Sequence, residues 1–418
     1  MTYIEFFDND AAENISASLA EVPDRVVFIG HNSKLIKKHI ENYKKVFLKR
    51  GQNTEFLYRT VSRNNLNDIE ELLLELINTY DDCVFDISGG EEAYVFALGL
   101  ICGKYPDKNI QIQKVNLNNN TIYNFCGRAK SDSDKDFDMS VTENVRIYGG
   151  DVVYGDISEE KTYKWDLNKD FICDINMMWS LCKTDVRKWN AVIGILGIFE
   201  NIGQIVYNES FKTIVKKSDL QEQLGRRKME YETLKETIDF FLENGLVKAF
   251  NNETDTITIS YKNEQVKKCL TKAGLVLEMK IYITAKSIID PEGNPIYNDV
   301  VNGAVIDWDS EIHNEADGGE IDIENEIDVL LMHGAVPVFI SCKNGFVDID
   351  ELYKLNTVAE RFGGENVKKI LVTTAISSLG SAEKYIRQRA EEMNIKILDD
   401  VHCITDKKLE EKLKNLWC

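Results

Sequence analysis

Two carboxylates, a hydroxyl and a lysine in "NEIDVLLMHGAVPVFISCKNG" (325–345) have the types and spacing for metal-assisted hydrolysis. Residues two apart on a strand point the same way, so Glu326 pairs with Asp328 and Ser341 with Lys343. A tight turn at "HGAV" (333–336) would fold the segment into a hairpin and gather these groups within a few ångströms. Hard oxygen donors of this kind hold Mg²⁺ or Mn²⁺. Such an ion lowers the pKa of a bound water and stabilises a phosphorane-like transition state. A neighbouring ammonium orients that water or neutralises phosphate charge. Lys343 closes 56 residues without Lys or Arg and ends an apolar strand, where packing gives it no role. The competing reading is an edge-strand lysine that discourages aggregation.

A second group lies near the N-terminus. "GHNSK" (30–34) follows the apolar run "RVVFIG", and "DISGGEE" (86–92) follows "CVF" and leads into a helix. In parallel α/β sheets, ligands sit outside the carboxyl ends of the strands. Gly30, Gly89 and Gly90 let a backbone approach a ligand, and a helix start offers N–H groups to an anion. Ser88 adds a hydroxyl, and His31, Asn32 and Ser33 suit a base or ribose edge. Glu91 repels phosphate but suits adenine amino groups. Neither loop is a GxGxxG and no Walker lysine follows, which argues against a standard dinucleotide or ATP site. The same residues also suit ordinary turns, with Asp86 or Ser88 as caps.

The elements that must position these groups alternate in type. Residues 1–150 read as strands and helices in turn, the pattern of a Rossmann-like parallel sheet. Residues 131–150 are polar and acidic, a linker with one short helix capped at Ser140 or Thr142. Residues 151–270 read as mainly helical, with a two-stranded ribbon at the end, like a winged helix. Residues 271–418 form a second α/β unit. It opens with a helix at "TKAGLVLEMKIYITAKS" and has strands at 302–308, 325–331, 336–342, 368–375 and 395–400.

Composition narrows the class. The 418 residues imply two or three domains, and 43% hydrophobic with 29% charged residues is the balance of a soluble globular protein. No apolar run reaches membrane-spanning length and the N-terminus is not a signal peptide, so a cytoplasmic, non-membrane protein is expected. Nine cysteines without a CxxC pair suggest reduced thiols rather than zinc or disulfides. A net charge of −20 argues against passive nucleic-acid coating; phosphate contact would need local patches or metal.

The loops "FIGHNS" and "DISGGEEAYVFALGL" resemble the two ligand loops of CARF domains, Rossmann-like sensors of cyclic oligoadenylates in CRISPR immunity. The second CARF loop usually ends in Thr-Lys, where this chain has Glu91-Glu92. The order Glu278 on a helix, Asp328 on a strand and Lys343 on the next is similar to the PD-(D/E)xK nuclease core. Ser341 stands where that core has an acid. By this resemblance Glu278, Asp328, Glu326 and Lys343 are the catalytic set, with metal held by Asp328, Glu278, Glu326 and the Cys342 carbonyl. Gly30 to Ser33 and Ser88 to Glu91 are the ligand set. Together the likeness implies a CARF-fused CRISPR ancillary nuclease spanning nearly the whole chain. Such a protein works as a homodimer, with cyclic tetra-adenylate (or hexa-adenylate) as activator, Mg²⁺ or Mn²⁺ as cofactor and nucleic acid as substrate. Two alternatives stay open: a ligand-controlled transcriptional regulator whose nuclease half is inactive because of Ser341, and a restriction or repair nuclease whose first domain is only structural.

Overall fold

The computed structural model describes residues 1–108, 110–126, 137–206, 209–310, 324–376 and 381–416. The first sheet contains β1 (Thr2–Phe6), β2 (Arg25–Gly30), β3 (Glu55–Thr60), β4 (Cys83–Asp86), β5 (Gln111–Asn116) and β6 (Thr121–Cys126), in the order β3-β2-β1-β4-β5-β6. All neighbours are parallel except β5 and β6. Its helices are α1 (Ser16–Glu21), α2 (Ser33–Lys49), α3 (Leu66–Thr79) and α4 (Glu92–Lys104). α2 starts where the Asn32 side chain accepts the Leu35 N–H, and buries Ile36, Ile40, Tyr43 and Phe47 on one face of the sheet. α3 and α4 cover the other face through Leu73, Leu76, Leu98 and Ile101. The Rossmann-like expectation therefore holds, with one strand unforeseen. β1 is central and buried at all five positions, including Thr2 and Glu5. Polar residues at buried positions break both the alternation and the apolar run by which strands are recognised.

The expected linker is also more structured than its composition suggests. α5 (Val141–Ile147) begins with a capping box between Ser140 and Glu143, and Phe137, Met139, Val141, Val145 and Ile147 are fully buried. Residues 127–136 lie outside the described set.

In the middle of the chain stand α6 (Lys169–Thr184), α7 (Val186–Ile202), α8 (Lys217–Leu224), α9 (Lys228–Glu243) and α10 (Glu264–Thr271). After β7 (Asp151–Val152), which joins the C-terminal sheet, come β8 (Gln204–Val206), β9 (Glu209–Lys216), β10 (Val247–Asn252) and β11 (Thr256–Tyr261). β8 to β11 form a four-stranded antiparallel sheet, β10-β11-β9-β8, where sequence pattern predicts a two-stranded ribbon. β9 buries only Thr213 and Val215, which hides its period.

The C-terminal sheet has the order β16-β15-β14-β13-β12-β7, with β12 (Asp299–Asp307), β13 (Glu324–His333), β14 (Val336–Lys343), β15 (Lys368–Thr373) and β16 (Ile395–Leu398). α11 (Leu275–Ser287) packs on one face, beside Val329, Val338, Ile340 and Cys342. α12 (Ile349–Phe362) packs on the other, beside Leu330, Phe339 and Leu371. α13 (Ser381–Glu392) and α14 (Asp406–Lys414) complete the unit. The core on the α11 face is continuous with the middle sheet, and the core on the α12 face with the N-terminal sheet. The three sheets thus share cores rather than hang on linkers. The sequence reads the acidic stretch Asp307–Asp328 as a solvated loop; its two ends belong to β12 and β13, and residues 311–323 lie outside the described set.

Candidate functional site

The hairpin forms as the sequence predicts, and its open end makes the site. Antiparallel pairing of β13 with β14 runs from His333–Val336 to Val329–Ile340. Beyond that pair the strands diverge, and the Asp328 side chain fills the gap. Its Oδ2 accepts the Cys342 N–H at 2.5 Å and faces the Ser341 hydroxyl at 3.4 Å. Ser341 therefore leans on Asp328 instead of replacing the missing acid. Burial pushes Asp328 above the usual carboxylate range, while the Cys342 N–H and the Lys343 ammonium pull it back.

Glu278 enters from α11 on the face that packs against the sheet. It is 5% exposed, and its Oε2 is buried with no hydrogen-bond partner among the described residues. Burial, reinforced by the charge of Asp328, pushes its carboxyl up to about 8. Lys343 ends β14 half-buried, with Nζ 2.8 Å from Glu351 Oε2 on the first turn of α12. Burial would lower its proton affinity, but Glu351, Asp328 and Glu278 outweigh that and raise it. Glu326 is exposed and pairs with Lys272 at 2.6 Å. Glu278, Glu326 and Asp328 likewise raise the ammonium of Lys272 against its burial.

The structure thus brings Glu278, Asp328 and Lys343 together, and leaves Glu326 at the edge on a lysine of its own. Sequence reasoning missed Lys272 and Glu351. Lys272 ends a basic run, Lys267–Lys272, whose composition suggests contact with nucleic acid and gives no sign of a pairing with Glu326. Glu351 was detectable in principle: α12 returns antiparallel to β14, so an acid in its first turn lies beside the strand's last residue.

A divalent cation is the group this chemistry implies, and the donors suit one. Two carboxylates that disfavour each other's charge, the buried Glu278 with an oxygen that has no partner among the described residues, form a site short of positive charge. The side-chain oxygens on offer are those of Glu278 and Asp328. The Cys342 thiol is no candidate, because burial pushes it well above its usual range. Among the described residues no group of three or more His, Cys, Asp or Glu side chains is placed to share an ion. Glu278 also lines a cleft of about 640 Å³, whose walls include Tyr163, Trp165, Lys268, Lys272 and Glu326.

At the N-terminal sheet the strand order reverses around β1, which places a crevice between the loops that follow β1 and β4. The glycine pair belongs to that junction. A Cβ on Gly89 would lie 2.7 Å from Asp8 Cβ, and Gly90 has φ +89° with Phe6 O only 2.9 Å from where its Cβ would be. The Gly90 N–H donates to Asp8 Oδ2 at 2.9 Å. The two glycines thus let the loop lie against the end of β1, and the Gly90 N–H is taken by a side chain. Ser88 is also committed, donating to Asp86 and accepting the Val115 N–H. Gly30 ends β2, Asn32 caps α2 and Ser33 opens it. His31 is exposed, with Nδ1 3.7 Å from Glu91 Oε1, and Arg63 Nη1 lies 3.1 Å from the same oxygen. His31, Arg63 and Glu91 thus join the ends of β2, β3 and β4 into one polar surface. Arg63 was not foreseen, because its loop carries no glycine or strand-end signature.

No family model matches the sequence, and no curated protein resembles it. Solved structures do. The protein VC1899 from Vibrio cholerae has a TM-score of 0.72 at 17% identity, covering 100% of this chain and 97% of that one. Can2 from Sulfobacillus thermosulfidooxidans, solved in complex with cyclic tetra-adenylate, has a TM-score of 0.65 at 15% identity, again covering 100% and 97%. At such identities the likeness speaks of fold: from end to end, this chain has the multidomain α/β architecture that VC1899 and the cyclic tetra-adenylate-bound Can2 display.

Proposed function

We propose that the chain is a metal-dependent nuclease of type III CRISPR antiviral defence, switched on by a cyclic oligoadenylate, with cyclic tetra-adenylate as the first candidate. In this reading residues 1–150 sense the ligand, 151–270 connect, and 271–418 cut. The observation that carries it is the grouping of buried Glu278 with Asp328 and Lys343 at the open end of a hairpin. The full-length fold likeness to Can2 supports the ligand.

Glu278, Asp328 and the Cys342 carbonyl would hold Mg²⁺ or Mn²⁺. When bound, such an ion supplies an acidified water and offsets charge on the scissile phosphate. The Cys342 N–H holds Asp328 in one orientation. Glu278 gives up its proton readily only at mildly alkaline pH or against a positive charge. Lys343, held by Glu351, places an ammonium where a phosphate oxygen or the attacking water needs a donor. The cleft beside Glu278 is lined by four lysines, Lys268 and Lys272 among them, and seven glutamates, so phosphate contact there would rest on the bound ion. On the sensor side, the surface of His31, Arg63 and Glu91 offers donors and acceptors to adenine edges and phosphates. A ring bridging two copies makes the working form a homodimer.

The test is cleavage of labelled single-stranded DNA, single-stranded RNA and supercoiled plasmid with Mn²⁺, with and without cyclic tetra-adenylate. Wild type and Lys343→Ala run in parallel. Cutting that needs both ligand and Lys343 is expected. Cutting without ligand would favour an unswitched nuclease, and binding without cutting would favour the ligand-controlled regulator.

A further inference from the structure

The loop after β1 touches both halves of the proposed switch. Asp8, at its start, accepts the Gly90 N–H of the glycine loop at 2.9 Å. Asp10, two residues on, is 4% exposed and faces the other way. Its Oδ1 accepts the Tyr148 hydroxyl at 2.6 Å, and its Oδ2 accepts the Glu365 N–H at 2.9 Å. The loop is stiff: Asp8 Oδ1 accepts the Asp10 N–H at 3.0 Å, and Asn14 bonds both the N–H and the carbonyl of Asp8 at 2.8 Å.

Glu365 lies three residues beyond α12. Gly364, just before it, has φ +65°, and a Cβ there would lie 2.5 Å from Asp10 Oδ2. The chain is therefore pressed against the aspartate with no room for a side chain. Asn144 secures the helix end itself, donating to the Phe362 carbonyl at 2.7 Å. The other end of α12 carries Glu351, which holds the Lys343 ammonium at 2.8 Å. One helix is thus gripped at its C-terminus by the loop under the glycine pair, and at its N-terminus grips the lysine of the cutting site. α12, 14 residues long, spans about 21 Å between these two contacts.

We infer that Asp10 and Glu351 are positioning residues at the two ends of α12, and that displacement of the glycine loop moves Lys343 through this helix. The inference rests on the proposed function and names its regulation. A ligand that displaces the Gly90–Asp8 contact changes where Asp10 holds residues 364–365, and α12 carries that change to Glu351. The coupling requires that the ligand bind the two loop positions with different affinity.

The test uses the full chain with cyclic tetra-adenylate as probe. Three quantities are measured: ligand affinity by calorimetry, ligand-stimulated kcat and KM, and hydrogen exchange of residues 349–362 with and without ligand. In wild type, ligand is expected to change exchange across 349–362. Asp10→Asn should keep ligand affinity within about threefold, lower kcat about tenfold at unchanged KM, and erase the exchange response. Tyr148→Phe removes one hydroxyl from Asp10 with no change of charge, and should produce the same pattern more weakly even if Asp10→Asn folds poorly. Glu351→Gln should lower kcat about tenfold while the exchange response persists. Wild-type kcat in all three variants, or no response of 349–362 in a wild type that binds ligand and cuts, overturns the relay and leaves the proposed function standing. A wild type that binds no cyclic oligoadenylate overturns both.

Discussion

Replacing Glu278 by Gln should become more favourable to stability as pH rises, and should be net stabilising at alkaline pH. The folded environment raises this carboxyl from 4.5 to about 8, through burial first and the Asp328 charge second. A carboxylate with a raised folded pKa opposes folding wherever it must ionise. The stability available with the proton bound is complete below the unfolded value and is lost as pH rises through the folded one. With these two values the loss is about 1 kcal/mol at pH 5 and about 5 kcal/mol at pH 9. Glutamine keeps the shape and cannot ionise. Its amide adds a buried donor that costs roughly 1–3 kcal/mol, but that cost is the same at both pH values and cancels in the comparison. The stability of Glu278→Gln minus that of wild type should therefore rise by about 4 kcal/mol from pH 5 to pH 9. Urea titrations of both proteins in EDTA at the two pH values measure it. A difference that is constant or falls with pH refutes the reasoning, because Glu278 would then be ionised in the fold at no expense.

Further predictions concern metal, loop and lysine. Mn²⁺ should raise the melting temperature of wild type, and raise that of Glu278→Gln less, since binding to the folded state alone stabilises it by mass action. Ser341→Asp puts a carboxylate beside Asp328 Oδ2, now 3.4 Å from the hydroxyl; it should lower the melting temperature in EDTA and enlarge the rise with Mn²⁺. Gly90→Ala meets both a left-handed φ and the Phe6 carbonyl, so calorimetric affinity for cyclic tetra-adenylate should fall, along with about 1–3 kcal/mol of stability in urea titration. Lys343→Ala should reduce ligand-stimulated cleavage at least about a hundredfold while leaving ligand affinity unchanged.

Both α/β units were legible because their strands are either apolar runs or clean alternations. The hairpin was legible because Gly334 sits between two such runs. What the sequence hid shares one physical cause: polar residues buried for a partner distant in the chain. Glu5 in β1 bonds the Ser18 hydroxyl, and Asp10 bonds Tyr148 and Glu365, so the central strand and the loop after it read as polar surface. The candidate cutting site was legible in its residue order, but its ion pairs were not. Lys343 with Glu351 spans eight positions and Glu326 with Lys272 spans fifty-four, and only the packing of α12 and α11 on the sheet decides them. The glycine pair was read as freedom for a ligand; the fold uses it first to admit Phe6 and Asp8.

Ser341 is the residue on which the regulator and the nuclease readings divide, and the energetics of its neighbours bear on the choice. Were the C-terminal unit only a scaffold, α11 would gain stability from any apolar residue at position 278, where it faces a packed core. It carries instead a buried carboxyl with one oxygen unbonded among the described residues, set near a second carboxylate, an arrangement that opposes folding in the working pH range. A divalent cation would reverse the sign of that term, because the same two charges that repel in its absence would attract it. The lysine beside them is held by a third acid on the opposite face of the sheet, so its ammonium has a fixed direction. Ser341 removes one donor from this set and leaves its electrostatic purpose intact. That balance favours hydrolysis over a purely structural role, and it makes the Mn²⁺ dependence of stability, measured before any substrate is tried, the observation that separates the two.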